Sequence, residues 1–547
     1  MTVVIRLAAG VWFLAVAVLA PVLAAAPALA QDPPKQVARE IAQIVRDGEM
    51  VFGLDVDDDR LFQVYAIYHY RDFTPIWVRD DGPKTKGRTL LDALMSADLD
   101  GLEPSDYQVD RISALMERTD VRSLAELELQ LTRAFLDYGR DLGAGRVSPA
   151  DVDRDNHVVP QPIDAAALLD GAERADEILP YLISLAPQTA EYDRLRDKLA
   201  EMRELAEHGG WPSVPEGETL KPGMDDPRVP ALRAYLAAVG DFEGDPADAS
   251  TLFDEELEDA VKAFQIRHGI DVDGAVGPAT LAAINTPIEE RIEALAINLE
   301  RRRWMPDDFG EKYVFVNLAD QFLKVVDGEK TIHDARLVVG KPYSRTPVFS
   351  DTIKYVVINP DWTVPASIAR SEYLPKLQAA PSSLAAQGIQ VLAGGQPINP
   401  RSIDWSKVTP STFSYTLRQE PGPNNALGAI KFMFPNPYNV YLHDTPSKSL
   451  FERSERTFSH GCMRVQNPLD LGAVVLGAQG WTRERIDEVV KSGKKTVVTL
   501  EEPLPVHITY LTAWVNKDGS VHFRSDVYGR DQRLRDALDR SRLSQQM

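Results

Sequence analysis

The only cysteine of this 547-residue chain, Cys462, lies in the run Ser459-His460-Gly461-Cys462, and a second histidine, His443, lies upstream. A thiol attacks carbonyl groups well only as a thiolate, so it needs a base or a cation to remove its proton. His443 and His460 are the candidates. Gly461 permits a tight turn before the nucleophile and is expected to leave its N–H free to face an oxyanion. A solitary cysteine is more often a buried packing residue, but this combination predicts a cysteine acyl-transfer site.

The segment resembles the catalytic motif of the L,D-transpeptidases, the YkuD-domain family, whose signature is a His, a spacer and then Ser/Thr-His-Gly-Cys. Here the spacer runs from Asp444 to Phe458, and the match continues through Arg464 and Asn467. The resemblance implies that the thiol attacks a tetrapeptide stem of peptidoglycan between the L-centre of its third residue and a terminal D-Ala, which leaves a thioester. The implied acceptor is the side-chain amine of another stem, giving 3→3 cross-links, or a lysine of a wall-anchored protein.

The resemblance also implies roles for single residues. Cys462 is the nucleophile and His443 the base, oriented by a backbone carbonyl, that of Asp444; the Asp444 side chain is the alternative orienting group. The N–H groups of Gly461 and Cys462 bind the oxyanion. Arg464 pairs with a substrate carboxylate or, alternatively, makes a structural contact with an Asp. The remaining candidates are Ser459 and His460 for shaping the loop, and Tyr441 and Asn467 for binding substrate.

No metal and no organic cofactor is implied. Zinc needs three or four converging ligands, and one Cys with two His does not supply them. Three other functions stay open: an L,D-carboxypeptidase that resolves the thioester with water, a transpeptidase that attaches a protein to peptidoglycan, and a non-catalytic peptidoglycan-binding scaffold. A papain-like peptidase is disfavoured, because its His would follow the Cys in the sequence.

The composition indicates packed cores, and the amino-terminal sequence indicates export. The formal net charge of −22 disfavours nucleic acid as a partner, since phosphate backbones require clustered Lys and Arg. Residues 1–30 carry Arg6, an apolar run and Ala28-Leu29-Ala30, which together predict a signal peptide; an uncleaved membrane anchor is the alternative. A periplasmic or other extracytoplasmic location follows. The expected partners are peptidoglycan stem peptides and other cell-wall enzymes, with membrane contact only through an uncleaved signal segment.

The elements that must position the motif indicate a multidomain α+β protein. Helical periodicity and the phrase Phe73-Thr74-Pro75-Ile76-Trp77 resemble the scaffold domain of large L,D-transpeptidases, and Gly269 to Thr280 resembles part of a three-helix peptidoglycan-binding module. Whether that module binds glycan or only supports the enzyme stays open. The predicted map is: signal peptide 1–30; tether 31–50; helical scaffold domain 51–212; linker 213–227; peptidoglycan-binding-like domain 228–286; connecting helix 287–311; mainly β catalytic domain 312–515; C-terminal strand and tail 516–547, with fraying expected from Arg530.

The catalytic region changes to strand-like alternation. The strand Tyr438 to His443 is expected to deliver His443 at its end, and Cys462 follows a polar loop. A segment at about 366–420 interrupts the strand pattern, and such an insertion is either a functional lid or disordered. Its aromatic residues favour a lid over the site.

Overall fold

A computed structural model describes residues 36–46 and 59–546 of the chain. The predicted signal peptide, 1–30, lies outside the described residues. Within the described ranges, no helix is long and apolar enough to cross a lipid bilayer.

The predicted scaffold domain is built around one long helix, α5, which begins at the Asp120 side chain accepting a hydrogen bond from the Ser123 N–H. The buried Glu128 of α5 accepts hydrogen bonds from the Trp77 N–H and the Tyr68 hydroxyl, which ties the preceding segments to this helix. The elements of this region are α1 (Gln36–Arg46), α2 (Asp59–Tyr70), β1 (Val78–Arg79), β2 (Gly82–Pro83), α3 (Thr85–Met95), α4 (Val109–Met116), α5 (Val121–Ala144), α6 (Pro149–Val152), α7 (Ala165–Arg174), α8 (Ile178–Leu185) and α9 (Ala190–Glu207).

The tether predicted at 31–50 is wrong over residues 36–46. This segment is the helix α1, and its Val37, Ile41 and Ile44 are buried in the scaffold core. The three side chains recur at helical spacing, so they form one apolar face that packs against α5. The polar residues between them, which suggested a tether, face outward.

The peptidoglycan-binding-like domain packs α10 (Val229–Ala238), α11 (Glu255–His268) and α12 (Pro278–Ile284) around a core that includes Leu232, Leu236 and Phe264. Gly269 ends α11 in the left-handed conformation, with φ of 62°. The predicted connecting helix, α13 (Ile288–Trp304), inserts Leu295 and Leu299 into the scaffold core. It is therefore a structural part of the scaffold as well as a connection.

The catalytic domain is a β-sheet that closes on itself. Within the described residues its nine strands follow the order β13-β5-β14-β12-β11-β6-β15-β3-β4, and β4 also pairs with β5. The strands and helices from here to the C-terminus are β3 (Lys312–Asn317), β4 (Phe322–Asp327), β5 (Lys330–Gly340), β6 (Phe349–Ile358), β7 (Trp362–Thr363), α14 (Ala366–Ile368), α15 (Leu374–Ala379), β8 (Ile389–Ala393), β9 (Gln396–Ile398), β10 (Thr416–Gln419), β11 (Ile430–Met433), β12 (Leu442–His443), β13 (Thr457–Ser459), β14 (Met463–Val465), α16 (Pro468–Leu476), α17 (Arg483–Lys491), β15 (Thr496–Thr509), β16 (Ala513–Val515), β17 (Val521–Phe523) and α18 (Arg530–Gln546).

The inserted segment at 366–420 folds as a unit with its own core. Leu374, Leu377, Trp405 and Leu417 are buried together, and β7, β10, β8 and β9 form a separate small sheet. We refer to residues 362–420 as the lid segment.

The C-terminal tail differs from the expected frayed segment. Residues 530–546 form α18, whose Leu534 is fully buried against Ile297 and Trp304 of α13. Charged residues at its start are also paired, since Arg301 reaches Asp531 at 2.6 Å. A high density of charge therefore marks paired side chains here. The fold class, a helical N-terminal region followed by a mainly β domain, is confirmed.

Candidate active site

The site lies on the outer face of three neighbouring strands, β11, β12 and β14. Side chains along a strand alternate between the two faces of a sheet, and the inward-facing ones here fill the core. The register pairs Lys431 with His443 and His443 with Arg464, so these basic side chains form one row across the outer face. Tyr441 and Cys462 each precede a member of that row by two residues and belong to the next row. The sheet thus brings the predicted nucleophile and base together.

Cys462 presents a free, half-buried thiol in the bend immediately before β14. Its Sγ lies 3.7 Å from the Asn439 carbonyl oxygen, to which it donates. Burial raises the pKa of the thiol to about 11, although hydrogen bonds from the Tyr441 N–H and hydroxyl and the charges of Arg464 and Lys431 act in the opposite direction. The resting side chain is therefore a neutral thiol, and the surrounding donors and cations stabilise the negative sulfur when it forms.

His443 is buried, and its Nδ1–H donates a short hydrogen bond to the Asp444 carbonyl. This tautomer leaves the lone pair on Nε2, as a general base requires. Burial lowers the pKa of His443 to about 3, and the positive charges of Arg464 and Lys431 lower it further, against the raising effect of the Asp444 hydrogen bond. The imidazole is therefore neutral at physiological pH, and its Nε2 lone pair is available.

The Asp444 carboxylate holds the loop instead of orienting the imidazole. It accepts hydrogen bonds from the Ala429 N–H at 2.8 Å and the Thr445 N–H at 2.7 Å, and it pairs with Lys448. Gly428 makes this close approach feasible, since a Cβ there would lie 2.2 Å from the carboxylate oxygen. The geometry favours the Asp444 carbonyl over its side chain as the orienting group.

The nucleophile loop is held by hydrogen bonds on both sides of Gly461, whose φ of 112° lies in the region that favours glycine. The Gly461 N–H donates to Ser459 Oγ at 3.1 Å, and Ser459 Oγ donates to the Cys462 carbonyl at 2.5 Å. Thr346 Oγ1 donates to the Gly461 carbonyl at 2.9 Å. The expectation of a free Gly461 N–H is therefore wrong, because the buried serine already accepts it. The Cys462 N–H remains the oxyanion candidate.

The other predicted residues lie at the rim. His460 is exposed and its Nε2 is 2.5 Å from Oε1 of Glu372 in the lid segment. Arg464 lines a cavity of about 420 Å³ together with Trp362 and Tyr373 of the lid segment. Asn467 is exposed at the start of α16, where its φ of 48° turns the chain from β14 into the helix. The structure gives Asn467 a backbone role and no contact with the catalytic pair.

Lys431 is a residue that sequence reasoning missed. It is half-buried, and its Nζ lies 5.6 Å from the ring centroid of Tyr441. Burial lowers the pKa of this lysine, against the raising effects of Asp361 and Cys462. The signal was present in the alternation Ile430-Lys431-Phe432, which places a lysine outward on a strand that is otherwise apolar.

Within the described ranges, no group of three or more His, Cys, Asp or Glu is arranged to hold a metal ion.

Comparison with known proteins assigns the three predicted regions. Residues 311–497 match the model of the L,D-transpeptidase catalytic domain (YkuD), residues 63–199 match a scaffold domain, and residues 225–284 match a "Putative peptidoglycan binding domain". The chain therefore carries a YkuD-type L,D-transpeptidase catalytic domain, the domain of an enzyme, together with scaffold and peptidoglycan-binding domains. This confirms the resemblance seen in the sequence. A cell-wall enzyme of this kind implies an extracytoplasmic location.

The chain is also similar to individual proteins over part of its length. The chain is 35% identical over 243 residues to a "Putative L,D-transpeptidase" of Haemophilus influenzae, covering 44% of this chain and 49% of that protein. It is 38% identical over 80 residues to the "N-acetylmuramoyl-L-alanine amidase CwlM" of Mycobacterium tuberculosis, covering 13% of this chain and 20% of the amidase. The chain thus spans half the length of the first relative and a fifth of the second. A solved L,D-transpeptidase (Yku) from Stackebrandtia nassauensis is 16% identical, and the match covers 54% of this chain and 96% of that one with a TM-score of 0.22.

Proposed function

We propose that this chain is an L,D-transpeptidase that forms 3→3 peptidoglycan cross-links through a thioester between Cys462 and a tetrapeptide stem. One observation carries the proposal. Within a domain that matches L,D-transpeptidases, the only thiol of the chain precedes by two residues Arg464, the register partner of His443, and the His443 imidazole is buried and neutral with its Nδ1 fixed by a backbone carbonyl.

In the first half of the reaction, the Cys462 sulfur attacks the carbonyl carbon that links the third residue of the stem to its terminal D-Ala. The thiol proton moves to Nε2 of His443 as the carbon–sulfur bond forms. A neutral thiol and a neutral imidazole favour proton transfer together with attack over a preformed ion pair. The oxyanion faces the Cys462 N–H. His443 then gives its proton to the departing nitrogen, the carbon–nitrogen bond breaks, and D-Ala leaves a thioester behind.

In the second half, the side-chain amine of an acceptor stem attacks the thioester. His443 takes a proton from the amine, the carbon–sulfur bond breaks, and the sulfur recovers a proton from the imidazolium. The new amide joins the third residues of two stems. Tyr441 supports both steps, because its hydroxyl and N–H stabilise negative charge on the sulfur.

The surrounding elements fit a cell-wall substrate. We assign Arg464 to binding a substrate carboxylate, since it lines the cavity between the barrel and the lid segment and no Asp or Glu pairs with it within the described residues. The bond between Glu372 and His460 supports a lid that lies over the site. We assign export to the apolar segment 1–30 and place the enzyme in the periplasm or an equivalent compartment.

Incubation of the purified protein with a disaccharide-tetrapeptide tests the proposal, with products weighed by mass spectrometry. A cross-linked dimer that has lost one D-Ala is expected. Tripeptide alone would indicate an L,D-carboxypeptidase, and unchanged substrate together with peptidoglycan binding would indicate a non-catalytic scaffold. The folded Cys462→Ala variant is the control, and dimer formation by this variant would refute the assignment of the nucleophile.

A further inference from the structure

Two cations flank the catalytic thiol without a counter-ion. In the described chain, neither Lys431 nor Arg464 lies within ion-pair distance of a carboxylate. Asp361 is the acidic side chain that acts on Lys431, but its Oδ1 pairs with Lys495 and its Oδ2 lies 3.1 Å from Arg418 Nε. Cys462, the other group that acts on both cations, is a neutral thiol at rest.

Such an arrangement is costly, and the Tyr441 ring, 5.6 Å from the Lys431 Nζ, compensates that cation only weakly. A partly buried cation loses hydration, and burial lowers the pKa of both Lys431 and Arg464. Proteins usually compensate a buried charge with a partner. Unpaired cations that converge on a reactive group in a cleft therefore indicate a site for an anionic ligand.

The sheet register fixes the geometry of this site. Lys431 on β11 and Arg464 on β14 stand on either side of His443 in one row, so their backbones are two strand spacings, about 10 Å, apart. Both side chains are long, and both act electrostatically on Cys462. Two side chains of this length can meet at a carboxylate placed between their backbones, next to the carbon that the sulfur attacks.

We propose that Lys431 and Arg464 form a carboxylate cradle that binds the terminal carboxylate of the acyl donor. The identity of this donor rests on the proposed function: in a tetrapeptide stem, the D-Ala carboxylate lies one residue, about 3.5 Å, beyond the scissile carbonyl. The cradle holds the leaving residue while the thioester forms. It selects stems that end in a free carboxylate, and it adds Lys431 to the substrate-binding residues.

Alkylation of the single cysteine tests the cradle without any assumption about the reaction. Iodoacetate and iodoacetamide attack the same sulfur and differ in a carboxylate and a neutral amide. We expect the ratio of their rate constants, followed by intact mass, to be about tenfold higher in the native protein than in the urea-unfolded protein. The ratio cancels any change in the pKa or exposure of Cys462, because both affect the two reagents equally.

Substitutions at and away from Lys431 test whether this residue causes the preference for iodoacetate. Lys431→Gln is expected to remove most of the iodoacetate preference, and Lys431→Arg to retain it. Lys354→Gln, which removes an exposed positive charge from β6, controls for net charge and should leave the ratio unchanged. A Lys431→Gln protein that melts like the native protein and keeps the native ratio would overturn the cradle, as would a native ratio equal to that of the unfolded chain.

Two acyl donors that differ only in their terminal group test the cradle independently of the proposed transpeptidase activity. We expect tetrapeptide stems ending in D-alanine to exceed stems ending in D-alaninamide by about tenfold in kcat/KM, mainly through KM, and Lys431→Gln to bring the two together. Equal use of both donors by the native enzyme would refute the cradle and leave the transpeptidase assignment intact. No product from either donor, with the iodoacetate preference present, would refute the assignment and leave the cradle intact.

Discussion

The nucleophile and the base of this site are both neutral at rest. Burial holds the pKa of Cys462 at about 11 and that of His443 at about 3. The rate of alkylation by iodoacetamide should therefore keep rising beyond pH 9, because the thiolate fraction grows until the pH reaches the pKa of the thiol. Intact-mass kinetics between pH 6 and 10 measure this. A rate that levels off near neutral pH would show instead a thiolate–imidazolium pair.

A second prediction at the residue scale concerns the Tyr441 hydroxyl. It donates to the Cys462 sulfur, so its removal withdraws one stabilising hydrogen bond from the thiolate. Tyr441→Phe should slow thioester formation by about tenfold, which corresponds to about 1.4 kcal/mol in activation free energy. A carbapenem, a strained acyl donor that the thiol is expected to attack, provides the assay by intact mass. Cys462→Ala is the blank and should form no adduct; an unchanged rate in Tyr441→Phe would contradict the hydroxyl's role.

The sequence located the residues whose roles depend on chemical type and missed those whose roles depend on neighbours. The Ser-His-Gly-Cys run and the upstream His443 identify the catalytic pair, because few arrangements can activate a thiol. Lys431 belongs to no motif, and only the strand register places it beside His443. The Gly461 N–H was expected to be free, since nothing in the sequence shows that the Ser459 hydroxyl folds back to accept it.

At the scale of elements, the lid segment makes direct contact with the nucleophile loop. Glu372 lies 2.5 Å from His460, two residues before Cys462, so the contact couples the position of the lid to the loop. A lid that excludes water favours resolution of the thioester by an amine. Glu372→Gln should therefore raise the ratio of hydrolysed tripeptide to cross-linked dimer by about twofold to fivefold, the weight of one exposed charged hydrogen bond.

Chromatography of the products from one donor and one acceptor stem measures that ratio. Glu420→Gln is a matched control, because Glu420 lies at the end of the same segment and its nearest cation is Arg418, at 3.6 Å. Carbapenem acylation should stay unchanged in both variants, since thioester formation does not depend on the acceptor. An unaltered product ratio in Glu372→Gln would show that the contact does not protect the thioester from hydrolysis by water.

Two helices mark the limit of element prediction from this sequence. Residues 36–46 and 530–546 are rich in charged and polar residues, which suggested a tether and a frayed tail. Each nevertheless buries a narrow apolar face, that of Ile41 in the first and Leu534 in the second. Such a face stabilises a helix only when a complementary surface exists, and those surfaces come from distant parts of the chain. Longer strands of the closed sheet, such as β3, were easier, because their alternation of buried and partly exposed residues is local in the sequence. The strand expected at Tyr438 to His443 is shorter than predicted, since β12 covers only Leu442–His443.

At the scale of the whole molecule, the peptidoglycan-binding domain is fixed against the C-terminal hairpin β16–β17, which packs into the scaffold core. Arg267 at the end of α11 donates to the Val521 carbonyl at 2.6 Å, and His268 stacks on Phe523 with ring centroids 5.7 Å apart. Arg524 donates back to the Arg267 carbonyl at 2.7 Å. The domain therefore has a set orientation, so any glycan it holds has a defined direction relative to Cys462.

A buried carboxylate in the scaffold region supports the catalytic loop from a distance. Asp153 accepts a hydrogen bond from Arg530 of α18 at 2.6 Å and lies 3.4 Å from Arg345. Arg345 adjoins Thr346, whose hydroxyl holds the Gly461 carbonyl. Burial would raise the pKa of Asp153, but the two arginines outweigh it and lower the pKa. The carboxylate thus favours folding at neutral pH, and this contribution is lost as the pH falls through its native pKa.

Asp153→Asn should therefore lower both stability and activity, although the side chain does not touch the substrate. Removing the charge leaves the buried Arg530 without its partner, at a cost of about 3 kcal/mol in the free energy of unfolding. Denaturant unfolding at pH 7 measures that loss. The difference from the native protein should shrink on acidification, because the native carboxylate is then neutralised too. Carbapenem acylation of the still-folded variant should be slower, since Arg530, which donates to the Thr346 carbonyl at 3.2 Å, loses the carboxylate that positions it. Asp155→Asn removes a more exposed charge that pairs with Arg345 at 2.7 Å rather than with Arg530, so it should produce a much smaller change in both measurements; equal effects of the two variants would show that the loop does not depend on the Asp153–Arg530 pair.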